Sequence, residues 1–397
     1  MDGGTRGAAQ VERSANQVAC LQFLSTTDDA QTVGAISAGT GLSRPTVHAV
    51  LDDLLDARLV TATSPAVAGP GRPARAFRFA REAGLVAGVD LGPRGARGVL
   101  CDLSGQRLAY AELMGVQHPD VELIERAVRA VVAEASVDVE RLRALGVALP
   151  GVVEADGSLR ACLAIPELVG LPIAETLTQA LGCSVAIDND IKLAALAEQR
   201  GGAGRGYEDV VYLQIGTRLS VSIVLNGVIR QGRHRMAGEL GAQRKMRWTR
   251  NAKRGQLVWT SQPTGEAVLK AAAAGDADAR AEIEDFCAQI AERVAAVLLV
   301  VDPEVLVVRG GPAADSDVLI RSLEAAVDKE LLFPERPPFV ASALGREAVV
   351  LGAAGNAFDR FSSDIYGLHG YPSPWAPITQ DLESTHDVER TSSETGS

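Results

Sequence analysis

The chain has 397 residues, enough for two or three domains, and its 47% hydrophobic and 22% charged composition is that of a chain with a sizeable core. A formal net charge of −11 excludes a protein that coats nucleic acid over its whole surface, yet leaves room for one small module with a local positive cluster. The longest apolar run, near residues 294–301, is too short to span a bilayer, and the first ten residues hold no apolar signal core. The expectation is a cytoplasmic protein with no membrane partner.

Residues 16–60 contain three short apolar-periodic segments. The first sets Val18, Leu21 and Leu24 on one face, and the second has Val33 and Ile36 three apart. Then comes GTGLSRPTVHAVLDDLLDARLV. Gly39 and Gly41 permit a tight turn, Ser43 caps the next helix, and Pro45 is tolerated in its first turn. Val47, Val50, Leu51 and Leu54 recur at i, i+3, i+4 and i+7 and form a buried stripe. Ser43, Arg44, Pro45, Thr46 and His48 then lie at the helix N-terminus away from the core, the end a helix-turn-helix presents to the major groove. Asp52, Asp53 and Asp56 follow later, held off a duplex. Residues 59–79 read as a strand pair with a basic tip rich in Gly and Pro, a wing suited to the minor groove and its phosphates. Arg72 and Arg75 of that wing join the candidate DNA-binding residues, with Arg78 beside them. The rival reading is a helical cap with a solvated basic loop.

From Leu85 the chain alternates strands and helices. GLVAGVDLG, ARGVLCDLSG and QRLAYAEL form an antiparallel meander, followed by a helix from residue 121 to 135. LRALGVALPG and SVAIDND are strands, and residues 191–200 are helical. A second meander begins at Asp209, with Asn226-Gly227 as its hairpin turn. A long helix at 278–300, the strand VLVVRGG, a helix near 316–328, the strand FVASAL and the helix GREAVVLGAAGNAFDRF complete the pattern. The repetition of meander then α/β unit predicts two lobes with a cleft between them, where Asp90, Asp190 and Gly216 converge. The five scattered cysteines show no C-x-x-C spacing, so neither a disulfide framework nor a thiolate zinc site is expected.

The ordered set GVDLG, GVALPG, DND-x-K-x-AALAE, QIGT, AGELG and RGG resembles the ROK family of repressors, open reading frames and sugar kinases. The helix-turn-helix with its GRPA wing resembles the repressor branch. The resemblance covers about residues 16–360 and implies an α/β chain with a winged helix-turn-helix ahead of a two-lobed, actin-like (ribonuclease H-like) ATPase fold. The implied domains are residues 1–80 for DNA binding, 81–188 with 345–370 for the first lobe and 189–344 for the second. Residues 371–397 are expected to be a disordered tail.

Carried over position by position, the resemblance speaks against catalysis. The family's kinases have a first phosphate loop Asp-x-Gly-Gly-Thr; here it is Asp90-Leu91-Gly92-Pro93-Arg94. Pro93 has no N–H to donate, and Arg94 replaces a hydroxyl. The second loop, Gly-Thr-Gly, becomes Gly216-Thr217-Arg218, while Gly310-Gly311 survives. An anion site built by Arg94 and Arg218 together is the competing expectation. Asn189-Asp190 matches the family's catalytic pair, so Asp190 is the general base if the chain is a kinase after all. Otherwise Asn189, Asp190, Glu239 and Glu167 are candidate ligand-binding residues. The family's zinc ligands are replaced, with Ala242 for the His and Thr249, Asn251 and Gln256 for cysteines, and Val258 replaces its sugar-binding Glu. No metal and no cofactor are therefore expected. A basic segment, residues 244–254, is either a solvated loop or an anion contact.

The expected function is a DNA-binding regulator, a repressor, acting as a homodimer or tetramer on a double-stranded operator. Its kinase-like domain would sense a sugar or phosphorylated metabolite. A sugar kinase with an attached DNA-binding unit, and a regulator indifferent to sugar, are the rival readings.

Overall fold

The computed structural model describes residues 3–63, 75–216, 218–242, 256–310, 316–333 and 335–380. The N-terminal unit comprises α1 (Gly3–Ser25), β1 (Gln31–Thr32), α2 (Val33–Thr40), α3 (Arg44–Asp56), β2 (Val60–Thr63) and β3 (Ala76–Phe79). The expected buried stripe of α3 packs with Leu21, Leu24, Ile36 and Phe77 in one apolar core. β3 lies between β1 and β2 and pairs antiparallel with both. The strand β1 has no counterpart in the sequence reading, because two residues are too few to show an alternation.

Two five-stranded sheets follow. The first consists of β4 (Leu85–Gly92), β5 (Gly95–Asp102), β6 (Arg107–Met114), β7 (Leu142–Leu149) and, after the small pair β8 (Val152–Val153) and β9 (Leu159–Ala161), β10 (Ser184–Asn189). The second consists of β11 (Val210–Ile215), β12 (Leu219–Leu225), β13 (Val228–Ile229), β14 (Val305–Arg309) and β15 (Phe339–Ala341). Their orders, β10-β7-β4-β5-β6 and β15-β14-β11-β12-β13, are the same pattern twice: an antiparallel meander extended by two parallel strands. This repeat is the two-lobed architecture expected from the sequence.

The helices are α4 (Val121–Glu134), α5 (Ile173–Leu181), α6 (Asp190–Gly201), α7 (Gly265–Ala273), α8 (Ala277–Val301), α9 (Ser316–Val327), α10 (Ala348–Arg360), α11 (Ser362–Tyr366) and α12 (Trp375–Thr379). α10 lies almost on the backbone of the first sheet. A Cβ added at Gly88 would stand 2.4 Å from the Val350 carbonyl oxygen, and one at Gly146 only 1.8 Å from that of Ala353. α6 packs on α10 through Leu193 and Ala194, and on the second sheet through Ala195 beside Val210 and Tyr212. A lobe boundary at residue 188 therefore assigns to one lobe a helix that belongs to both.

The expected disordered tail needs a second correction. Residues 371–380 are ordered against the protein: Tyr371, Trp375 and Ile378 are buried in the same core as α1 and α3. Three anchoring side chains outweigh the polar composition from which disorder was inferred. Residues 381–397 lie outside the described residues. No helix of the described residues is long and apolar enough to cross a membrane.

Candidate functional site

Two regions carry the candidate residues. At the N-terminus of α3, Ser43 accepts the Thr46 N–H at 3.3 Å, and its hydroxyl lies 2.8 Å from that of Thr46. The cap holds the first turn open to solvent: Ser43, Arg44, Pro45 and His48 are exposed and Thr46 is half-buried. Gly41 enters the turn with φ +75°, as expected. Gly39 has another role: it ends inside α2, where a Cβ would stand 2.0 Å from the Phe23 ring. Asp53 is spent on α1, accepting from Arg13 Nε at 2.8 Å and from Gln17 at 3.0 Å. Of the wing, Arg72 lies outside the described residues. Arg75 is exposed at its base with its guanidinium 5.2 Å from the centre of the Phe77 ring. Arg78 is committed to Glu82 at 2.6 Å.

The second region is a cavity of about 620 Å³ between the two sheets. β4 delivers Asp90 to it, and the expected turn at Pro93-Arg94 closes a hairpin in which Gly92 pairs with Gly95. Gly95 has φ +147°, and a Cβ there would meet the Leu113 carbonyl oxygen at 2.1 Å, so the tight turn requires glycine. Asp90 stands opposite Arg97 across the hairpin and pairs with it at 3.3 Å; Arg97 also donates to Glu112 at 2.9 Å.

Arg309, at the end of β14, completes the cluster and was not foreseen. It donates to Gln214 at 2.6 Å and to the Gly345 carbonyl at 2.7 Å. Burial pulls its pKa down, while the charges of Asp90 and Asp190 hold it up. Its sequence signal is in VLVVRGG, where a cation ends an otherwise apolar buried strand.

Asp190 begins α6. Burial, and then the like charge of Asp90, push its pKa up to about 7, against the pull of Arg309 and a backbone N–H. Asn189 is buried and occupied by the fold: it accepts from the Lys192 N–H at 3.2 Å and donates to the Gly151 carbonyl at 2.8 Å. Glu239 is half-buried, near Lys192 and Arg218, whose charges oppose the rise that burial gives its pKa. Glu167 is exposed on a short turn at Pro166–Leu168. Of the four expected ligand residues, only Asp190 lines the cavity. Arg94 lines it as well, while the charge of Arg218 acts on Glu239 and Cys162.

The Glu of AALAE, Glu198, joins α6 to the second lobe by accepting from Ser342, Ala343 and Leu344. Thr217, Gly311 and the basic segment 244–254 lie outside the described residues, as do Thr249 and Asn251 of the altered zinc pattern. Among the described residues no group of His, Cys, Asp and Glu is placed to hold a metal ion.

Two family models match the chain. That of the ROK family covers residues 86–256 and 244–359, and that of the MarR family residues 11–69. The bifunctional enzyme NanE/NanK of Brucella suis biovar 1 is 33% identical over 211 residues, 50% of this chain and 39% of the relative. The xylose repressor of Bacillus subtilis is 21% identical over 210 residues, 52% of this chain and 54% of the relative. The chain thus spans less than two thirds of the length of either. A crystal structure of a ROK family transcriptional regulator, a homolog of the E. coli MLC protein, shares the fold with a TM-score of 0.63 at 21% identity. The match covers 92% of this chain and 98% of that one, too much to leave out the N-terminal unit.

Proposed function

Because the chain belongs to the ROK family and carries a MarR-like winged helix ahead of the family's domain, we propose that it is a transcriptional regulator, a repressor, that binds an operator as a homo-oligomer. The observation that carries this reading is the first turn of α3. It is capped by Ser43 and rooted in the core, yet it presents Arg44 and His48 to solvent. An arginine there reads a guanine edge or a phosphate, and two protomers read two half-sites. The cleft takes the effector, a sugar or phosphorylated metabolite, and the lobes transmit its differential binding to the winged helix. The protein works in the cytoplasm, on DNA.

The rival is an ATP-dependent sugar kinase. Against it stand Arg97 and Arg309, already committed beside Asp90, and the hairpin turn at Pro93, which has no N–H for a phosphate. A coupled ADP-release assay over a sugar panel is expected to stay at background; sugar-dependent release would establish the kinase. The regulator reading is tested by offering the full-length chain a random-sequence duplex library. Enrichment of a pseudo-palindrome with half-sites about one helical turn apart is expected. A library left unenriched would reject the reading.

A further inference from the structure

One helix, α6, reaches from the cleft to the core of the winged-helix unit. Its first residue, Asp190, lines the cavity between the sheets. Its 12 residues span about 18 Å. Near the far end, Ala197 lies in the apolar core that holds Leu21 and Leu24 of α1 and Val50 of α3. At the end itself, Gly201 is the seat of α12: a Cβ there would stand 2.0 Å from Thr379 Oγ1 and 2.5 Å from Thr379 Cβ. Thr379 closes α12, whose Trp375 and Ile378 belong to that same core.

The sides of α6 are held unequally. Toward the second lobe it is fastened. The buried Glu198 accepts from the Ser342 hydroxyl and from the N–H groups of Ala343 and Leu344, just after β15, and Ala195 packs beside Val210 and Tyr212. Toward α10 it is smooth. Ala194 meets Ala348 and Ala353, and a Cβ on Gly352 would stand 1.9 Å from the Leu193 carbonyl oxygen. Small side chains give two helices few knobs to lock their register, and sliding of packed helices is the shear form of domain motion.

We propose that α6 is the coupling element of the protein: it moves with the second lobe when the cleft is occupied, slides on α10 and presses α12 through Gly201, and so shifts the packing under α1. The use of this motion to control DNA binding rests on the regulator reading; the coupling itself is a property of the fold.

The test is hydrogen exchange of the full-length chain without DNA, read by mass spectrometry over residues 11–25 and 371–380. Substitutions more than about 10 Å apart with no shared partner ordinarily act independently. Here Asp190→Asn, at the cleft end of α6, should change exchange over both segments by about threefold or more. Thr379→Gly, which removes the side chain seated on Gly201, should abolish that response. If Asp190→Asn folds poorly, Gly201→Ala drives the same route backwards. Exchange should then rise over residues 339–345, at the Glu198 contact, as well as over 371–380, and adding Thr379→Gly should restore both. No response over these segments, or one that Thr379→Gly leaves intact, would overturn the proposal. The full response in a chain that enriches no operator from the duplex library would uphold the coupling and reject the regulator reading alone.

Discussion

At the N-terminus of α3, the side chains of Arg44 and His48 are exposed and have no hydrogen-bond partner among the described residues, whereas in the cleft Asp90, Asp190, Arg97 and Arg309 act on one another. The first arrangement keeps its donors for an outside acceptor. The second has turned the charges expected at a phosphate site inward, one side chain neutralising the next. Charged side chains that satisfy one another offer less to an outside charge than exposed, unspent ones do.

The largest expected effect is at the cleft. Arg309→Ala leaves Asp90 and Asp190 close together with less counter-charge, and stability should fall by about 3 kcal/mol, read as the denaturant midpoint. A neutral outcome would mean the cleft charges are solvated and the contrast with α3 is false. Next, Arg44→Ala should weaken a selected operator by about 1–3 kcal/mol with little change in stability. Equal losses on selected and scrambled duplexes would make Arg44 a phosphate contact. Ser43→Ala removes the cap that holds the first turn and should cost about 1 kcal/mol of stability.

The smallest effect is in pH dependence. Asp190, raised to about 7, keeps a proton in the folded protein. The unfolded chain releases it near its ordinary value of about 3.9. The stabilisation from this group is therefore fully present below pH ~4 and is lost as pH rises through about 7. Asp190→Asn should flatten that decline in denaturation curves taken across the range. An unchanged slope would assign it to other groups.

Local signals were the legible ones. The cap at Ser43, the stripe of α3 and the two meanders each depend on neighbours in sequence, and each appears in the structure. Arg309 was missed because its meaning depends on Asp90 and Asp190, which approach only when the two sheets are assembled. Asn189 was read as a ligand group, but a buried cap and a long-range bond to Gly151 use its amide. The order at residues 371–380 was hidden for a like reason: the core that buries Trp375 is built largely from residues far earlier in the chain. Gly355 shows the fit, since a Cβ there would lie 2.0 Å from the Trp375 ring.

That shared core also sets an order of events during synthesis. The winged-helix residues leave the ribosome before the residues that follow them, but Leu21, Leu24 and Phe79 belong to an apolar cluster that also holds Tyr366, Tyr371 and Ile378. Domains made early commonly fold before the rest of the chain arrives. Here the early-made unit acquires its full packing only when α10 to α12 have emerged, so a chain shortened before them would expose the apolar surface around Leu21, Leu24 and Phe79.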